Sequence, residues 1–310
     1  MLKSPIFLCF CGAFTSAVLF CAGAVVPFIG VAALLFCPVP LAILGAREND
    51  FLATAGLAMA SLILLPIFGV WVSLYFFLGE GVLCLGLTVP LGRVKNGVEC
   101  LFLCVVVSIL SKLLLLALMM SLRGQNPFMM DPESMKVLLS QMTLSFGGNA
   151  EEAIQVASHM AKLASWMLPS LILFSSVFDS FFNYKLCEVL QRRFHLRRKF
   201  PPITPFDSWR FPRSLLWAFV FAFMLPLFME EDDALGGMME VNLKFSVCAF
   251  YFFQGLSLVW WALLRKKWPR FLRVMLMVLL CVPVLGLWVI GLGVGDMCFD
   301  IRARVMNKNK

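Results

Sequence analysis

The sequence predicts an all-α membrane protein, a polytopic bundle of eight or nine transmembrane helices. Apolar stretches follow one another from Ile6 to Val294, and most charged residues lie in the gaps between them. The composition is 61% hydrophobic and the mean hydropathy is +0.90. The apolar runs are continuous, which favours helices over strands. Most of them reach the roughly 20 residues that a helix needs to cross a hydrocarbon core.

We divide the chain into nine apolar segments, separated by charged or loop-forming residues. They cover residues 6–26, 28–45, 51–68, 70–90, 98–122, 166–186, 215–229, 241–264 and 271–294, and the seventh is short. Membrane bundles of this length pack as one unit, so we expect a single membrane domain over residues 1–310. Five spans would occupy residues 1–122, an outer segment residues 123–165, and further spans residues 166–310.

The first segment has features of a signal peptide. Lys3 precedes the apolar run, and Ala22-Gly23-Ala24 resembles a cleavage site. A second apolar segment follows at once, whereas a signal peptide normally precedes a polar mature chain. We therefore expect the first segment to stay in place as a span.

Basic residues predict the topology. The loops at residues 185–213 and 265–273 are rich in Lys and Arg, so the positive-inside rule places both in the cytoplasm. Counting spans from them puts the N-terminus inside and the acidic residues 230–233 outside. We expect a multi-pass protein of a bacterial cytoplasmic (inner) membrane. Anionic lipid headgroups, and no nucleic acid, are the expected partners of the basic loops, because these loops lie against the bilayer.

The last apolar segment leaves two topologies open. If residues 271–294 cross the membrane completely, the basic tail with Arg302 and Arg304 lies outside, contrary to the rule. Pro283 and the glycines after it would also allow the segment to break and re-enter on the same side.

Residues 123–165 predict two outer helices. Asp131-Pro132-Glu133 has the cap, proline and early acid of a helix start, and an amphipathic pattern follows it. A second start falls at Asn149. Such helices would either cover a cavity as a lid or rest on lipid headgroups.

Three ionisable residues lie well inside predicted spans, namely Glu80, Lys112 and Asp179. An unpaired charge at the centre of a span costs roughly 2.5–3.5 kcal/mol, so we expect these residues to face the bundle interior. Lys112 would neutralise one of the two acids. The remaining negative charge would need a proton, a bound cation or a cationic substrate.

Further polar residues share these spans. Asn183 lies one turn from Asp179, and Gln254 lies in the eighth segment. Together with the three charges they are candidates for a substrate or ion site. The alternative is that they only hold helices together. Gly79 and Gly81 flank Glu80 and predict close packing or an irregular helix there.

Ala13 and Ala17 are small residues at helix-packing spacing in the first segment. Such a pair lets two helix backbones approach closely, either inside the bundle or against a partner subunit.

Catalytic and cofactor motifs are missing from the sequence. It has no P-loop, no dinucleotide glycine pattern, no His-Glu-x-x-His and no Gly-x-Ser-x-Gly, and its eleven cysteines form no Cys-x-x-Cys pair. We predict no catalytic residues, no metal site and no cofactor, and a pump that hydrolyses ATP on its own is disfavoured.

Several short motifs resemble the YybS-like family of bacterial membrane proteins, a domain of unknown function. They are Pro169, Asn183-Tyr184, Pro201-Pro202, Phe206, Trp209, Pro212, Gln254-Gly255, Gly295-Asp296 and Phe299-Asp300-Ile301-Arg302. The likeness covers nearly the whole chain. It implies a multi-spanning membrane protein and names no reaction.

The first five segments more distantly resemble the substrate-binding subunits of energy-coupling-factor transporters. In those subunits, small residues spaced like Ala13 and Ala17 dock on a coupling protein. The same part is also similar to MreD-type scaffolds. Two hypotheses follow. One is an inner-membrane protein that binds or helps transport a small solute and depends on a coupling partner for energy. The other is a scaffold without transport activity.

Overall fold

The computed structural model describes residues 4–26, 29–124, 163–228 and 234–307, together with Val137, 155–156 and 159–160. Every named element within these ranges is helical. The chain divides into two compact units. The first comprises Met1–Met130 and Leu171–Ile203, and the second comprises Asp131–Ser170 and Thr204–Lys310. The single membrane domain over residues 1–310 stays a prediction.

The first unit is built from helices with polar caps at several starts. In order they are α1 (Pro5–Val25), α2 (Ile29–Phe36), α3 (Val39–Arg47), α4 (Asp50–Leu74), a π-helix (Tyr75–Gly81), α5 (Leu83–Thr88), α6 (Gly97–Arg123) and α7 (Leu168–Phe194), whose first three residues belong to the second unit. The Asn49 and Asn96 side chains accept hydrogen bonds from the first turns of α4 and α6. Such caps satisfy donors that a helix leaves free.

Helix α1 has one buried face and one exposed face. Ala13 and Ala17 are buried against neighbouring helices of the same unit, and the Ser16 hydroxyl donates to the carbonyl of Cys37 at 2.5 Å. Phe10 and Phe14 stack on the exposed face. The small residues therefore allow close packing inside the unit, and the aromatic face is left for lipid.

The run from Asp50 to Thr88 folds back on itself. A straight helix of its 39 residues would be about 58 Å long. Gly45 nevertheless lies beside both ends, since a Cβ there would approach Ala53 to 3.0 Å and Thr88 to 2.9 Å. The break is at Gly69, with φ 81° and ψ 177°, which an L-residue rarely adopts. Segments 51–68 and 70–90 are thus two antiparallel arms.

The second unit contains the remaining helices. They are a 3₁₀ turn (Phe206–Ser208), α8 (Leu215–Met224), a second 3₁₀ turn (Leu225–Phe228), α9 (Ala234–Arg265), α10 (Arg270–Leu280), α11 (Pro283–Phe299) and α12 (Ile301–Asn307). The backbones of α9 and α11 touch where they cross. A Cβ on Gly255 would collide with the Val289 carbonyl, and one on Gly293 with the Tyr251 carbonyl.

Five helical stretches of the described chain are long and apolar enough to cross a membrane, or six if a bent pair counts as one span. The predicted eight or nine spans are therefore not confirmed. The 39-residue run counts as one stretch although it folds back, and the helix from 215 to 228 is shorter than a full span. The bent pair is α10 with α11, at 102°, so the last apolar segment is bent close to Pro283.

The C-terminal helix α12 lies at the same end of the second unit as the basic residue Arg210 and the basic residues at the end of α9. Arg210 pairs with Asp300 at 3.2 Å, just before α12. Ile301 and Val305 line one groove together with Trp268, which follows the end of α9. The chain therefore returns, after α10 and α11, to the end where α9 finishes.

The outer segment lies mostly outside the described residues. The predicted helix starts at 131–133 and at Asn149 are among the residues that are not described. Lys3 and the acidic residues 230–233, elsewhere in the chain, also lie outside the described residues.

Candidate functional site

A buried ion pair joins α6 to α7 in the first unit. The Lys112 ammonium lies 2.5 Å from the Asp179 carboxylate and donates a second hydrogen bond to the Ser175 hydroxyl at 3.1 Å. The Lys112 side chain is 4% exposed and that of Asp179 19% exposed. The sequence predicted that Lys112 would neutralise one of two acids, and the structure places Asp179 in that position.

Glu80 lies in the π-helix of the second arm, which packs against α4 and α6. The Glu80 carboxylate interacts electrostatically with Asp179 and Lys112. Tyr75 interacts electrostatically with both carboxylates, Glu80 and Asp179. No hydrogen bond or ion pair reaches its carboxylate from any residue in the described ranges. Two acids therefore face one base, and the charge of Glu80 is not neutralised by direct contact.

The irregular helix around Glu80 was predicted from its flanking glycines. A Cβ on Gly81 would collide with Leu57 of the other arm, and the π-helix leaves the Leu78 carbonyl to accept the Ser111 hydroxyl of α6. π-Helical turns are uncommon and concentrate at functional sites. The wide turn belongs to the part of the second arm that packs against α6, the helix that carries Lys112.

Asn183 is fully buried one turn from Asp179. Its amide nitrogen donates to the carbonyls of Leu35 at 2.8 Å and Asp179 at 2.7 Å, which ties α7 to α2. Its amide oxygen accepts no hydrogen bond from the described chain, and the same holds for the buried Ser176 hydroxyl. These contacts join helices through Asn183, and its amide oxygen remains available as an acceptor.

Gln254 belongs to a network in the second unit. Its amide donates to Asp296 at 2.7 Å and accepts from the Phe211 N–H at 3.1 Å. Arg302 is 1% exposed, lies 3.2 Å from Asp296, and donates to the carbonyl of Asp207 and to the Ser257 hydroxyl. Burial lowers the pKa of Arg302, and the charge of Asp296 opposes this shift.

The sequence predicted Gln254 as a candidate site residue, whereas Asp296, Arg302 and Trp209 were noted only in the family motifs. Gln254, Asp296, Arg302 and the loop around Trp209 come together through side-chain and backbone hydrogen bonds. The amide of Gln254 is used within the chain, which favours a structural role for it over the predicted solute contact.

Arg198 is a further residue that sequence reasoning did not single out. Its guanidinium donates to the Asp50 carboxylate at 2.7 Å and 3.0 Å, and to the carbonyls of Gly45 and Thr88. It therefore clamps the ends of both arms to α3. The only sequence signal was its place in the basic loop, which predicted a headgroup contact.

The ion pair and Glu80 form an arrangement suited to a cation. One ammonium neutralises one carboxylate, and the second carboxylate, which interacts electrostatically with the pair, is left for a positively charged guest or a proton. Among the described residues no group of three or more His, Cys, Asp or Glu has the arrangement of a metal site.

A match to a protein family includes Glu80, Lys112 and Asp179. A family model described as "Predicted membrane protein (DUF2232)" matches residues 14–297. The "Uncharacterized protein YybS" of Bacillus subtilis (strain 168) is 28% identical over 159 residues, so the match spans about half of each chain, 51% in both cases. No solved structure matches the chain. The predicted YybS-like resemblance is confirmed, and the chain belongs to the DUF2232 family of predicted membrane proteins.

Proposed function

We propose that the first unit binds a proton, a small cation or a cationic solute beside Glu80 and Asp179. The chain would then serve as a membrane subunit that binds or helps transport that solute. The observation that supports this most directly is Glu80, a carboxylate in an apolar helical run with no ion-pair partner in the described chain. Leaving such a group uncompensated costs several kcal/mol unless a guest or proton offsets it.

Lys112 has a supporting role in this proposal. Its contacts with Asp179 and Ser175 hold it on the α7 side of the site. A guest would therefore meet Glu80 without competing directly with Lys112 for that carboxylate. The sequence has no nucleotide-binding motif, so transport would depend on a coupling membrane protein for energy.

We also propose eight spans followed by a re-entrant pair. Counting the two arms at Gly69 separately, and adding α7 and α8 as one span each to the five apolar stretches, gives eight crossings, with α10 and α11 entering and leaving on one side. The N-terminus, the loops at 185–213 and 265–273, and the tail then all lie in the cytoplasm of a bacterial inner membrane. Every basic cluster obeys the positive-inside rule in this arrangement.

The second candidate function is a membrane scaffold of the MreD type. It is favoured by Asn183 and Gln254, whose amides are used by hydrogen bonds inside the chain. In a scaffold the buried charges would only join helices, and the basic loops would contact anionic headgroups and partner proteins.

Native mass spectrometry of the full-length protein separates the two candidates. We expect a small molecule or cation to be retained by the wild type and lost from Glu80→Gln. Glu99→Gln is the matched control, because Glu99 is an exposed acid in the first turn of α6. Equal retention by wild type and Glu80→Gln, or no retained species together with a stable partner protein, would favour the scaffold.

A further inference from the structure

A groove in the second unit lies at the C-terminal end of α9, beside α11 and α12. Its volume is about 610 Å³, which falls within the roughly 300–1,000 Å³ typical of ligand sites. Leu258, Leu292 and Val305 contribute to its apolar lining, and two tryptophans, Trp261 and Trp268, stand on its α9 side.

The end of α9 shapes this groove. Lys267 has a left-handed backbone with φ 54°, and the Trp268 N–H donates back to the Leu263 carbonyl at 3.2 Å. This is the pattern of a Schellman turn, in which the residue after the cap packs back on the last turn of the helix. Trp268 is thereby turned towards the groove. The Leu263 and Leu264 carbonyls accept hydrogen bonds within the turn, so they are less available to the basic side chains nearby.

Positive charge borders the apolar lining. Arg265 and Lys266 both line the groove and are exposed, and among the described residues no acidic side chain lines it. Neither cation forms an ion pair within the part of the chain that the structure describes. The Arg265 guanidinium stacks over Trp261 at 5.2 Å, which leaves its N–H edge available to an anion.

We infer that this groove binds one anionic phospholipid. The acyl chain would lie along Leu258, Leu292 and Val305, and the phosphate would contact Arg265 and Lys266. Tryptophans and arginines together at the level of the headgroups are typical of such sites. The inference concerns the second unit and does not depend on the proposed solute site.

Lipid exchange monitored by native mass spectrometry tests this inference. The full-length protein is titrated in detergent with phosphatidylglycerol or with phosphatidylcholine. We expect one phosphatidylglycerol to bind preferentially, and Arg265→Gln with Lys266→Gln to weaken its binding roughly 30-fold. Arg192→Gln with Arg193→Gln is the matched control, since these are also adjacent exposed cations in the last turn of a helix. This control should bind as the wild type does.

Two further measurements identify the source of the anion and the role of the apolar lining. Inorganic phosphate at millimolar concentration should not displace the lipid, and displacement would assign the site to a free anion. Val305→Trp fills the groove from an exposed position without changing charge, and it should weaken binding. Equal binding of both lipids, or equal losses in the two charge variants, would overturn the inference.

Discussion

Lys112 shows how one buried charge determines the packing of two helices. Its side chain is 4% exposed and reaches across from α6 to α7, where Asp179 accepts it at 2.5 Å. Removing one charge of such a pair is costly because the other stays buried without compensation, whereas replacing both by apolar groups is often tolerated.

Asp179→Asn should therefore lower the free energy of unfolding by roughly 3–5 kcal/mol. The double change of Lys112→Met with Asp179→Leu should recover most of this loss. Thermal unfolding of the purified chain in detergent measures both effects. A double variant that is no more stable than the single variant would show that burial of an unpaired Lys112 is not the cause.

Arg198 and its neighbour Arg197 provide a second comparison at single residues. Arg198 clamps Asp50 and the carbonyls of Gly45 and Thr88, whereas the Arg197 side chain is 72% exposed and lies 3.9 Å from Glu48. We expect Arg198→Gln to cost roughly 2–4 kcal/mol through lost charged hydrogen bonds. Arg197→Gln should change stability by less than about 0.5 kcal/mol. Similar unfolding curves for the two variants would contradict the clamp.

Among the helices, the contact of α9 with α11 depends on glycine. A Cβ on Gly293 would collide with the Tyr251 backbone, whereas Gly291 has open space around its Cβ position. Gly293→Ala should therefore separate the helices and destabilise the second unit by about 1–3 kcal/mol. Gly291→Ala should leave stability unchanged or raise it by up to about 1 kcal/mol, since alanine favours a helix. Calorimetric unfolding of both variants checks this, and equal destabilisation would argue against a close crossing.

Most helices were predictable from apolar runs, because lipid requires backbone hydrogen bonds to be satisfied within the segment. The predicted segment 6–26 corresponds to α1, Pro5–Val25, and segment 98–122 to α6, Gly97–Arg123. Helix α7 continues to Phe194, beyond the predicted residue 186, because its basic end carries no apolar signal. A hydropathy pattern also contains no information on the angle between α10 and α11.

The candidate site was partly predictable for the same reason. A charged residue is easily recognised within an apolar segment, because charges are rare there. This is how the sequence identified Glu80, Lys112 and Asp179. Arg198, Asp296 and Arg302 lie in or next to polar segments, where charges are common. Their roles come from contacts across long stretches of sequence, such as Arg198 with Asp50, which no local pattern reveals.

For the whole molecule, the proposed topology makes a direct prediction. Green fluorescent protein fused after Lys310 should fluoresce in the cytoplasm, and alkaline phosphatase at the same point should be inactive. Reporters inserted at residues 230–233 should give the opposite pattern, because this acidic segment is predicted outside. Active phosphatase at the C-terminus would show that α10 and α11 cross the membrane fully.

The central claim is that Glu80 binds a positively charged guest, and thermal unfolding tests it most directly. Wild type, Glu80→Gln and Glu99→Gln are compared without guest and with Na⁺, K⁺ and choline in turn. We predict that Glu80→Gln is more stable than wild type without guest, by up to about 3 kcal/mol. At least one cation should stabilise the wild type and Glu99→Gln but not Glu80→Gln. A Glu80→Gln protein that is less stable than wild type, with no cation effect on any variant, would contradict the account.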